Sequence, residues 1–398
     1  MTVTTAEPVR APARRDYTAL AEELAPVFAE RAAAHDAAQT FPLENFADLV
    51  RSGYTAMTVP VEYGGGGASL AELCRAQQVL AAACGSTAFA VNMHVHGLAM
   101  IAARNDPRYE WIYRAVVDDG AVIAGGFSEP GIGGNWWYPV SSAELVDGGY
   151  RLRGRKSFFT GYPAATLLFL SASRADRHGA AVPIGFLVPR PERGIEVTAL
   201  WDAAGMRATG SHSLLVDDLF VETRYRIGEE GDLPMIFLNG VHWAWCSFAS
   251  VFVGIARGAF ELATRGQRER RMHVMDRSLA HLPGVQFKVA EMATKLAAAE
   301  AHLSAAVNGP HDTDGDPLGH YIEMSLMKVT VCRLAHEIVT LAVQTQGGSS
   351  LASANPLQRM YRDVVAGLLI PPAADVVMEW AGKQALGVAV FDEPRWGG

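Results

Sequence analysis

The spacing of the apolar residues changes twice along this chain of 398 residues, and this change is the strongest constraint on its fold. In the first third of the chain, apolar residues recur at the spacing of one face of a helix. This spacing predicts the helices Tyr17–Ala38, Leu43–Ser52, Leu70–Ala83, Thr87–Arg104 and Glu110–Val117.

The second region begins at Ala121, where the apolar residues form short runs separated by turn residues such as Asp147-Gly148-Gly149. Short apolar runs between turns are typical of strands. Their spacing favours a small, mostly antiparallel sheet or barrel over alternating βαβ units. The predicted strands are Ala121–Ser128, Tyr150–Gly154, Leu167–Ala172, Ile184–Val188 and Leu214–Val221.

Helical spacing returns near Pro234 and continues to the end of the chain. The predicted helices are Trp243–Arg271, Pro283–Asn308, Tyr321–Gln346 and Pro371–Leu386. Long helices joined by short loops are typical of an antiparallel bundle. The expected class is therefore α+β. It comprises an N-terminal helical domain (1–120), a middle β-sheet or barrel domain (121–232) and a C-terminal antiparallel four-helix bundle (233–398).

Composition and charge exclude several classes of protein. The net charge of −8 argues against a nucleic-acid partner, because phosphate binding needs a basic surface. Met1–Arg15 lacks the apolar core of a signal peptide, and no segment approaches the roughly 20 apolar residues of a membrane span. We therefore predict a cytoplasmic protein without a membrane partner. The four cysteines lie far apart, and the sequence has no Cys/His cluster that would suggest a disulfide framework or a metal site.

Two nucleotide-binding motifs are also absent from the sequence. The glycine run Gly64–Gly67 is not followed by the Lys-Ser/Thr of a phosphate-binding loop. No GxGxxG motif follows a predicted strand and opens a helix. The chain therefore has no recognisable site for a nicotinamide dinucleotide.

Four separated segments carry the features that suggest chemistry. They are Pro60-Val-Glu-Tyr-Gly-Gly65, Phe127-Ser-Glu-Pro-Gly-Ile-Gly-Gly-Asn135, Gly154-Arg-Lys-Ser-Phe-Phe-Thr-Gly161, and Gln344-Thr-Gln-Gly-Gly348 followed by Pro356 and Arg362-Asp363. In this order, and with helices on both sides of a sheet, the segments resemble the acyl-CoA dehydrogenase superfamily along nearly the whole chain. The resemblance implies a flavin enzyme that catalyses a redox reaction on a small molecule.

The resemblance places the flavin ring between the second and third segments. A flavin ring needs hydrogen bonds at N5 and O4 and an apolar surface against one face. In the family, the residues matching Phe127 and Ser128 supply backbone and hydroxyl groups, and those matching Phe158 and Thr160 hold the other flank. Position Thr160 is thus a candidate for both binding and catalysis.

The glycines of the second segment match the position that faces the cofactor pyrophosphate. Gly133 and Gly134 would allow backbone N–H groups to approach it closely. The family usually has Ser and Asp where this chain has Gly134 and Asn135. One hydroxyl contact is therefore expected to be missing.

The bundle half matches residues that bind the remainder of FAD in the family, in part from a neighbouring subunit. A shared cofactor site of this kind implies a homodimer or homotetramer. The matching residues also favour FAD over FMN, because they lie on the diphosphate and adenine side. They are Arg270, Gln286, Phe287, Gln344, Gly347 and Gly348.

The chain departs from the family at the catalytic base. An acyl-CoA dehydrogenase needs a carboxylate that removes the α-proton of a thioester. The family usually has a Glu eight positions after the Asp of the Arg-Asp pair, which here is Pro371. A second family solution lies ten residues before a helix glycine, which from Gly254 gives Ala244. Neither residue is ionisable.

The missing base favours relatives that became monooxygenases, such as those acting on dibenzothiophene, amines, amino sugars and indole. They take reduced flavin from a separate reductase and form a flavin hydroperoxide with O2. The expected reaction is hydroxylation of a small apolar or aromatic substrate, and the expected setting is secondary metabolism. His96, chosen over His94, and Thr160 are the predicted catalytic residues.

Aromatic residues lie in the segments that border the substrate cavity in the family. Trp136, Trp243 and Trp245, with Trp137, would suit an apolar or aromatic substrate. Ordinary core packing is the alternative for these residues, as a hydrogen-bonded helix histidine is for His94 and His96.

Two other functions remain open at this point. The first is an acyl-CoA or acyl-carrier-protein dehydrogenase with a relocated base, for which Asp375 and Glu379 are candidates. The second is a catalytically silent flavoprotein that serves as an interaction scaffold.

Overall fold

The described part of the chain, in a computed structural model, comprises residues 15–132, 139–311 and 315–390. Three of the predicted site residues, Gly133, Gly134 and Trp136, lie outside it, as does Trp137.

The N-terminal region is helical. Asp16 caps the first helix by accepting hydrogen bonds from the N–H groups of Thr18 and Ala19 at 2.9 and 3.1 Å. Ser69 and Glu72 form a reciprocal capping box at the start of the third helix. The helices are α1 (Tyr17–Ala38), α2 (Leu43–Arg51), α3 (Leu70–Ala83), α4 (Gly85–Ala102) and α5 (Glu110–Asp118).

The middle region is an eight-stranded sheet with the order β6-β7-β3-β2-β4-β5-β8, in which β1 pairs with β4 in parallel. Most neighbouring strands are antiparallel, as predicted. Strands β2, β6 and β8 were not predicted, because β2 and β6 are short and largely exposed and β8 has only two residues. The strands are β1 (Ile123–Gly126), β2 (Ser142–Val146), β3 (Gly149–Phe159), β4 (Leu167–Ala175), β5 (Ala181–Pro189), β6 (Ile195–Ala199), β7 (His212–Glu222) and β8 (Arg226–Ile227).

Three long helices and three short ones form the C-terminal region. Helix α6 begins ten residues before the predicted Trp243, because residues 233–242 are largely apolar and buried and Pro234 occupies its first turn. A two-stranded hairpin follows α6. The elements are α6 (Leu233–Glu269), β9 (Arg271–Met272), β10 (Met275–Ser278), α7 (Pro283–Asn308), α8 (Pro317–Gln346), α9 (Pro356–Val364), α10 (Ala366–Leu369) and α11 (Ala374–Ala385).

The predicted order of a helical, a sheet and a second helical region is confirmed. Helix α6 lies at the centre of the molecule and packs against α3, α4, α7 and α8. The predicted domain boundaries at 120/121 and 232/233 stay predictions. The last N-terminal helix ends at Asp118, and α6 begins at Leu233.

Two segments are long and apolar enough to cross a membrane by length and composition alone, contrary to the sequence prediction. In Leu233–Glu269, 83% of the apolar window is buried within the fold, so this apolar character is explained by packing. The other is Pro356–Ala385, with 22% buried, which comprises α9 to α11.

Candidate active site

The second and third segments lie side by side at one end of the sheet. The N–H of Ser157, in β3, donates to the carbonyl of Ser128, just after β1, at 2.8 Å. Gly126 allows this approach, since a Cβ there would lie 2.4 Å from the ring of Phe159. The structure therefore brings Phe127 and Ser128 next to the segment that contains Phe158 and Thr160.

A buried ion pair holds the two segments together. The carboxylate of Glu129 contacts the ammonium of Lys156, and the two side chains are 0% and 1% exposed. Glu129 also accepts hydrogen bonds from Val140 N, Ser141 N and Ser141 Oγ at 2.5, 3.0 and 2.6 Å. Burial opposes the charged carboxyl, but Lys156 and Ser141 outweigh it and hold the pKa of Glu129 below its usual range.

Phe158 projects an aromatic ring into solvent beside these segments. Its side chain is 59% exposed, although it lies at the end of a strand in the sheet. Its φ of 55° lies in the left-handed region, which a non-glycine residue adopts at a cost. The ring packs edge to face on Trp201 with 5.8 Å between centroids. A strained, exposed aromatic residue supported from the side is suited to pack against a flat ligand.

Thr160 begins a chain of buried hydroxyl groups. Its Oγ1 lies 2.9 Å from Ser211 Oγ, which lies 2.7 Å from Thr209 Oγ1. Thr209 donates to the carbonyl of Met206 at 2.9 Å, and a carbonyl can only accept. Ser211 can therefore donate to Thr209, and the single Thr160 hydroxyl proton is donated either to Ser211 or to the carbonyl of Phe158 at 3.3 Å. The Thr160 oxygen is thereby left with lone pairs to accept a hydrogen bond from a ligand.

The Arg362-Asp363 pair of the fourth segment anchors the loop that contributes Thr209 and Ser211 to this chain of hydroxyl groups. Asp363 accepts from the N–H of Met206 at 2.6 Å, and Arg362 donates to the carbonyl of Ala204 at 2.8 Å. Gly205 fits beneath α9, since a Cβ there would lie 2.0 Å from the carbonyl of Arg362. The bundle thus fixes the position of the hydroxyl chain in the sheet region.

Asp363 should make the stability of the protein depend on pH. Burial raises the pKa of its carboxyl from 3.8 to about 6. The folded state therefore retains a proton that the unfolded state has lost. Stability contributed by this proton is complete below about pH 4 and is lost as pH rises through 6. At 1.36 kcal/mol per pKa unit the loss is about 3 kcal/mol.

The test compares wild type with Asp363→Asn, which keeps an acceptor for Met206. We expect the free energy of unfolding of wild type to fall relative to the variant between pH 4 and 7, as measured by denaturant titration. A difference between the two proteins that is independent of pH would contradict the assignment.

The two candidate histidines of α4 differ in their hydrogen bonds. Both ring nitrogens of His94 are engaged: Nδ1 accepts from Ile123 N at 3.0 Å and Nε2 donates to Thr55 O at 2.8 Å. His94 therefore has a structural role. His96 Nδ1 donates to Asn92 O at 2.6 Å, which leaves Nε2 as the unprotonated nitrogen. Burial lowers the pKa of both rings to about 4, so both are neutral at pH 7.

A continuous wall of aromatic rings connects His96 to the strand-end segment. Phe127 contacts Phe237, which contacts Trp245, with ring centroids 5.3 and 5.6 Å apart. Phe248 continues the wall, 5.9 Å from Trp245 and 5.2 Å from His96. Trp245 is fixed by a hydrogen bond from Nε1 to Ser325 Oγ at 3.0 Å. We call the five residues His96, Phe127, Phe237, Trp245 and Phe248 the aromatic wall.

Trp243 does not share this arrangement. It is half-buried on α6 and lies beside His242, with ring centroids 5.9 Å apart.

The predicted residues of the bundle half meet at the far end of α6. Arg270 donates to the carbonyl of Gln346 at 2.7 Å, which brings it to the Gln344–Gly348 segment. Gly347 and Gly348 are exposed, with open space where a Cβ would be, and Gly347 has a φ of 75°. Arg270 and Gln344 are exposed as well. This end therefore offers a cation beside an exposed and uncrowded stretch of backbone.

Gln286 and Phe287 lie at the start of α7. Gln286 Nε2 donates to the carbonyl of Ala280 at 3.0 Å, and Phe287 is 74% exposed. Among the described residues, no hydrogen bond joins this region to the sheet-side segments of the same chain. One chain therefore presents two separate sets of predicted cofactor residues.

Several residues of the site were missed by sequence reasoning. The ion pair of Glu129 and Lys156 had one detectable feature in the sequence: each is a charged residue within one of the four segments. Ser211 and Thr209 had none, because the hydroxyl chain is formed by folding. Phe237 and Phe248 resemble ordinary apolar positions of a long helix, and only tertiary contacts distinguish them.

The sheet-side segments fit a flavin ring, because they combine the exposed ring of Phe158 with an oxygen of Thr160 that can accept a hydrogen bond. With a helix–sheet–helix fold, this site defines a flavin-dependent oxidoreductase. Family profiles agree along the chain: the acyl-CoA dehydrogenase N-terminal domain matches residues 14–105, the middle domain 124–219, and the C-terminal domain 246–369.

Relatives of two kinds are similar over nearly the whole chain. YdbM of Bacillus subtilis (strain 168), assigned to the acyl-CoA dehydrogenases, is 30% identical over 380 residues, which are 91% of this chain and 94% of YdbM. The amino sugar nitrososynthase RubN8 of Streptomyces rubradiris is 30% identical over 404 residues, with coverage of 96% and 91%.

A solved structure has the same fold. KijD3, in complex with FMN and dTDP-3-amino-2,3,6-trideoxy-4-keto-3-methyl-D-glucose, superposes with a TM-score of 0.83 and 26% identity, covering 96% of this chain and 97% of that one. The chain belongs to the acyl-CoA dehydrogenase family, as its motifs predicted, and its cofactor is a flavin.

Proposed function

We propose that this enzyme is a monooxygenase that uses reduced FAD, supplied by a separate flavin reductase, and O2 to hydroxylate a small apolar or aromatic substrate. When bound, the reduced flavin would supply the two electrons that activate O2, of which one oxygen atom goes to the substrate and the other to water. The single observation that carries the proposal is the absence of an ionisable side chain at both base positions of the family. Ala244 is fully buried in α6, and the other position is Pro371.

The loss of the base matters because a general base makes a large contribution to the rate. General-base help is worth about 100- to 10,000-fold for proton abstraction. A dehydrogenase that lacks it at both positions would be severely impaired. A monooxygenase does not abstract a thioester α-proton, so it loses nothing by these substitutions.

The direction of the hydrogen bonds in the hydroxyl chain supports binding of the reduced form of the cofactor. The Thr160 proton is donated to Ser211 or to the carbonyl of Phe158, and so the Thr160 oxygen can accept a hydrogen bond from a ligand. Reduced flavin has an N–H group at N5, whereas oxidised flavin has an unprotonated nitrogen there. An acceptor at this position therefore favours the reduced form. Phe127 and Ser128 are proposed to hold one flank of the ring, and Phe158 to pack against it.

His96 is the proposed catalytic residue on the substrate side. Its neutral ring keeps Nε2 available to accept a hydrogen bond, and the aromatic rings packed beside it exclude water. Trp245, within the aromatic wall, is the proposed contact for an apolar or aromatic substrate. Trp243 is proposed as a further pocket residue, although it lies outside the wall and beside His242.

The bundle end is proposed to bind the diphosphate side of FAD held by another subunit. Arg270 supplies a cation, and the exposed Gly347 and Gly348 leave open space in which a phosphate can approach the backbone closely. Gln286, Gln344 and the exposed Phe287 are proposed to complete this surface.

The sheet-side residues and the bundle-end residues form two separate sets within one chain. Because both sets are proposed to bind one FAD, we expect a homodimer or homotetramer.

The test separates reaction with oxygen from reaction with a thioester. Reduced, FAD-loaded protein is mixed with oxygenated buffer in a stopped flow, and both reoxidation and release of hydrogen peroxide are followed. We expect reoxidation to be slower than for free reduced FAD. Peroxide release should be faster in His96→Ala and Thr160→Ala, since each removes a polar group beside the flavin. Thr198→Ala, exposed on β6, is the control and should behave as wild type.

The same protein, oxidised and under anaerobic conditions, is then mixed with an acyl-CoA thioester such as butyryl-CoA. We expect no loss of flavin absorbance at a catalytic rate. Rapid bleaching would reject the monooxygenase and support a dehydrogenase with a relocated base.

The dehydrogenase remains the second candidate because of YdbM, but the two candidate bases are poorly suited. Glu379 is paired with Lys383 at 3.0 Å, and Asp375 is exposed in the first turn of α11. Flavin bleaching that occurs in wild type but not in Asp375→Asn or Glu379→Gln would identify the base. We also propose a cytoplasmic location and a role in secondary metabolism, which neighbouring genes for a flavin reductase would support.

A further inference from the structure

Three histidines that lie apart in the sequence meet at one end of the helical bundle. His242 lies in α6, His311 follows α7, and His320 lies in the first turn of α8. One ring nitrogen from each lies within 4.8 Å of one from each of the others. The rings of His242 and His311 are stacked, with centroids 4.2 Å apart and an interplanar angle of 12°.

Each of these rings has a buried nitrogen without a hydrogen-bond partner among the described residues. They are His242 Nδ1, His311 Nδ1 and His320 Nε2. His242 is 8% exposed and His320 9%. Buried polar atoms of folded proteins are nearly always hydrogen-bonded, so three such nitrogens in one place require an explanation.

The unpaired nitrogens of the cluster suit a cation. His311 Nε2 donates to the carbonyl of Val307 at 3.2 Å, which leaves its Nδ1 as the nitrogen with a free lone pair. Within the described part of the chain, His242 Nδ1 and His320 Nε2 are also without a hydrogen-bond partner, so all three imidazoles have an unpaired nitrogen in one place.

We propose that His242, His311 and His320 bind a divalent transition-metal ion of the Zn²⁺ class. Imidazole nitrogens suit Zn, Cu and Ni, whereas Mg²⁺ and Ca²⁺ prefer oxygen ligands. Zn–N bonds of about 2.0–2.1 Å place two ligand nitrogens at most about 4.2 Å apart. The rings therefore move slightly inward, and one ring of the stacked pair turns so that its lone pair points at the ion. Three protein ligands leave a fourth position for water.

The ion would link two long helices and the loop between them. Helices α6 and α8 and the segment after α7 each contribute one ligand, so binding stabilises the folded bundle. This site does not depend on the flavin or on the proposed reaction.

The experiment uses the full chain, free of affinity tags and stripped with EDTA. Zn²⁺ is titrated by calorimetry. Co²⁺ is titrated by its visible absorbance, which reports four-coordinate geometry. We expect one ion per chain and a higher melting temperature with Zn²⁺. His311→Gln and His320→Ala should each weaken binding by at least about tenfold and abolish the rise in melting temperature. His302→Ala, which changes an exposed histidine of α7, should bind as wild type does.

His311→Gln is the variant that should not disturb folding. Residue 311 follows the end of α7, and helices α6 and α8 remain unchanged in this variant. Far-UV circular dichroism verifies that each variant is folded. Stoichiometric binding that is unchanged in both variants would overturn the proposal, as would the absence of binding to wild type.

Discussion

Replacing Lys156 by methionine is expected to lower the free energy of unfolding by about 3–5 kcal/mol. The side chains of Lys156 and Glu129 are 1% and 0% exposed, so the variant leaves a buried carboxylate without its counter-ion. Lys156 also donates to Ser171 O and Ser171 Oγ at 2.5 and 3.0 Å, and those acceptors lose their donor. Denaturant titration at pH 7 measures the change.

A matched ion pair on the same strand serves as the control. Arg153 contacts Asp218 across the sheet, but the two side chains are 49% and 45% exposed. Exposed pairs contribute at most about 1 kcal/mol, so Arg153→Met should have a small effect. The double variant Glu129→Gln with Lys156→Met should recover part of the loss, because it removes the unpaired charge. Equal losses at Lys156 and Arg153 would contradict the importance of the buried pair.

Replacing Arg270 by glutamate is expected to weaken FAD binding by at least about 100-fold, as measured by flavin fluorescence. A hydrogen bond to a charged group contributes about 1.5–3 kcal/mol. Repulsion between the new carboxylate and a phosphate about 4 Å away adds about 1 kcal/mol at the dielectric constant of water, which suits the exposed position of Arg270. The sum of about 3 kcal/mol corresponds to about two powers of ten in affinity. Wild type should prefer FAD to FMN, and the variant should lose that preference.

Two further variants separate the charge of Arg270 from its local contact. Arg270→Gln can still donate to the carbonyl of Gln346, so an intermediate loss is expected. Arg268→Glu changes an exposed charge two residues away and should leave FAD affinity unchanged. Light scattering shows whether each protein keeps the expected dimer or tetramer. Unchanged FAD affinity in Arg270→Glu would reject this location for the cofactor.

The order of helices and strands could be predicted from the sequence because each element has a strong local signal. Helices α1, α3 and α7 have the predicted bounds, since caps or Pro residues mark their starts. The strands β2, β6 and β8 were missed because few of their residues are buried and their alternation is weak. The start of α6 was predicted ten residues too late, because residues 233–242 are largely apolar and have little periodicity from which a boundary can be recognised.

The family and its flavin motifs could also be predicted, because four segments preserve their order and residue types. The sequence further determined that both base positions lack an ionisable group, and this fact carries the proposed reaction. His96 was chosen over His94, but the sequence offered no physical basis for this choice, because the two residues occupy the same helix two positions apart. That distinction depends on Thr55 and Ile123, which reach His94 only in the folded chain.

Only the tertiary structure decided the features that depend on residues from distant segments. Thr160 became an acceptor because β7 and the loop before it place Ser211 and Thr209 in line with Met206. The sequence indicated no metal site, because metal motifs are recognised by short spacings, whereas His242, His311 and His320 are brought together by the packing of the bundle. Local spacing determines secondary structure, but the direction of a hydrogen bond and the meeting of three imidazoles depend on contacts that exist only after folding.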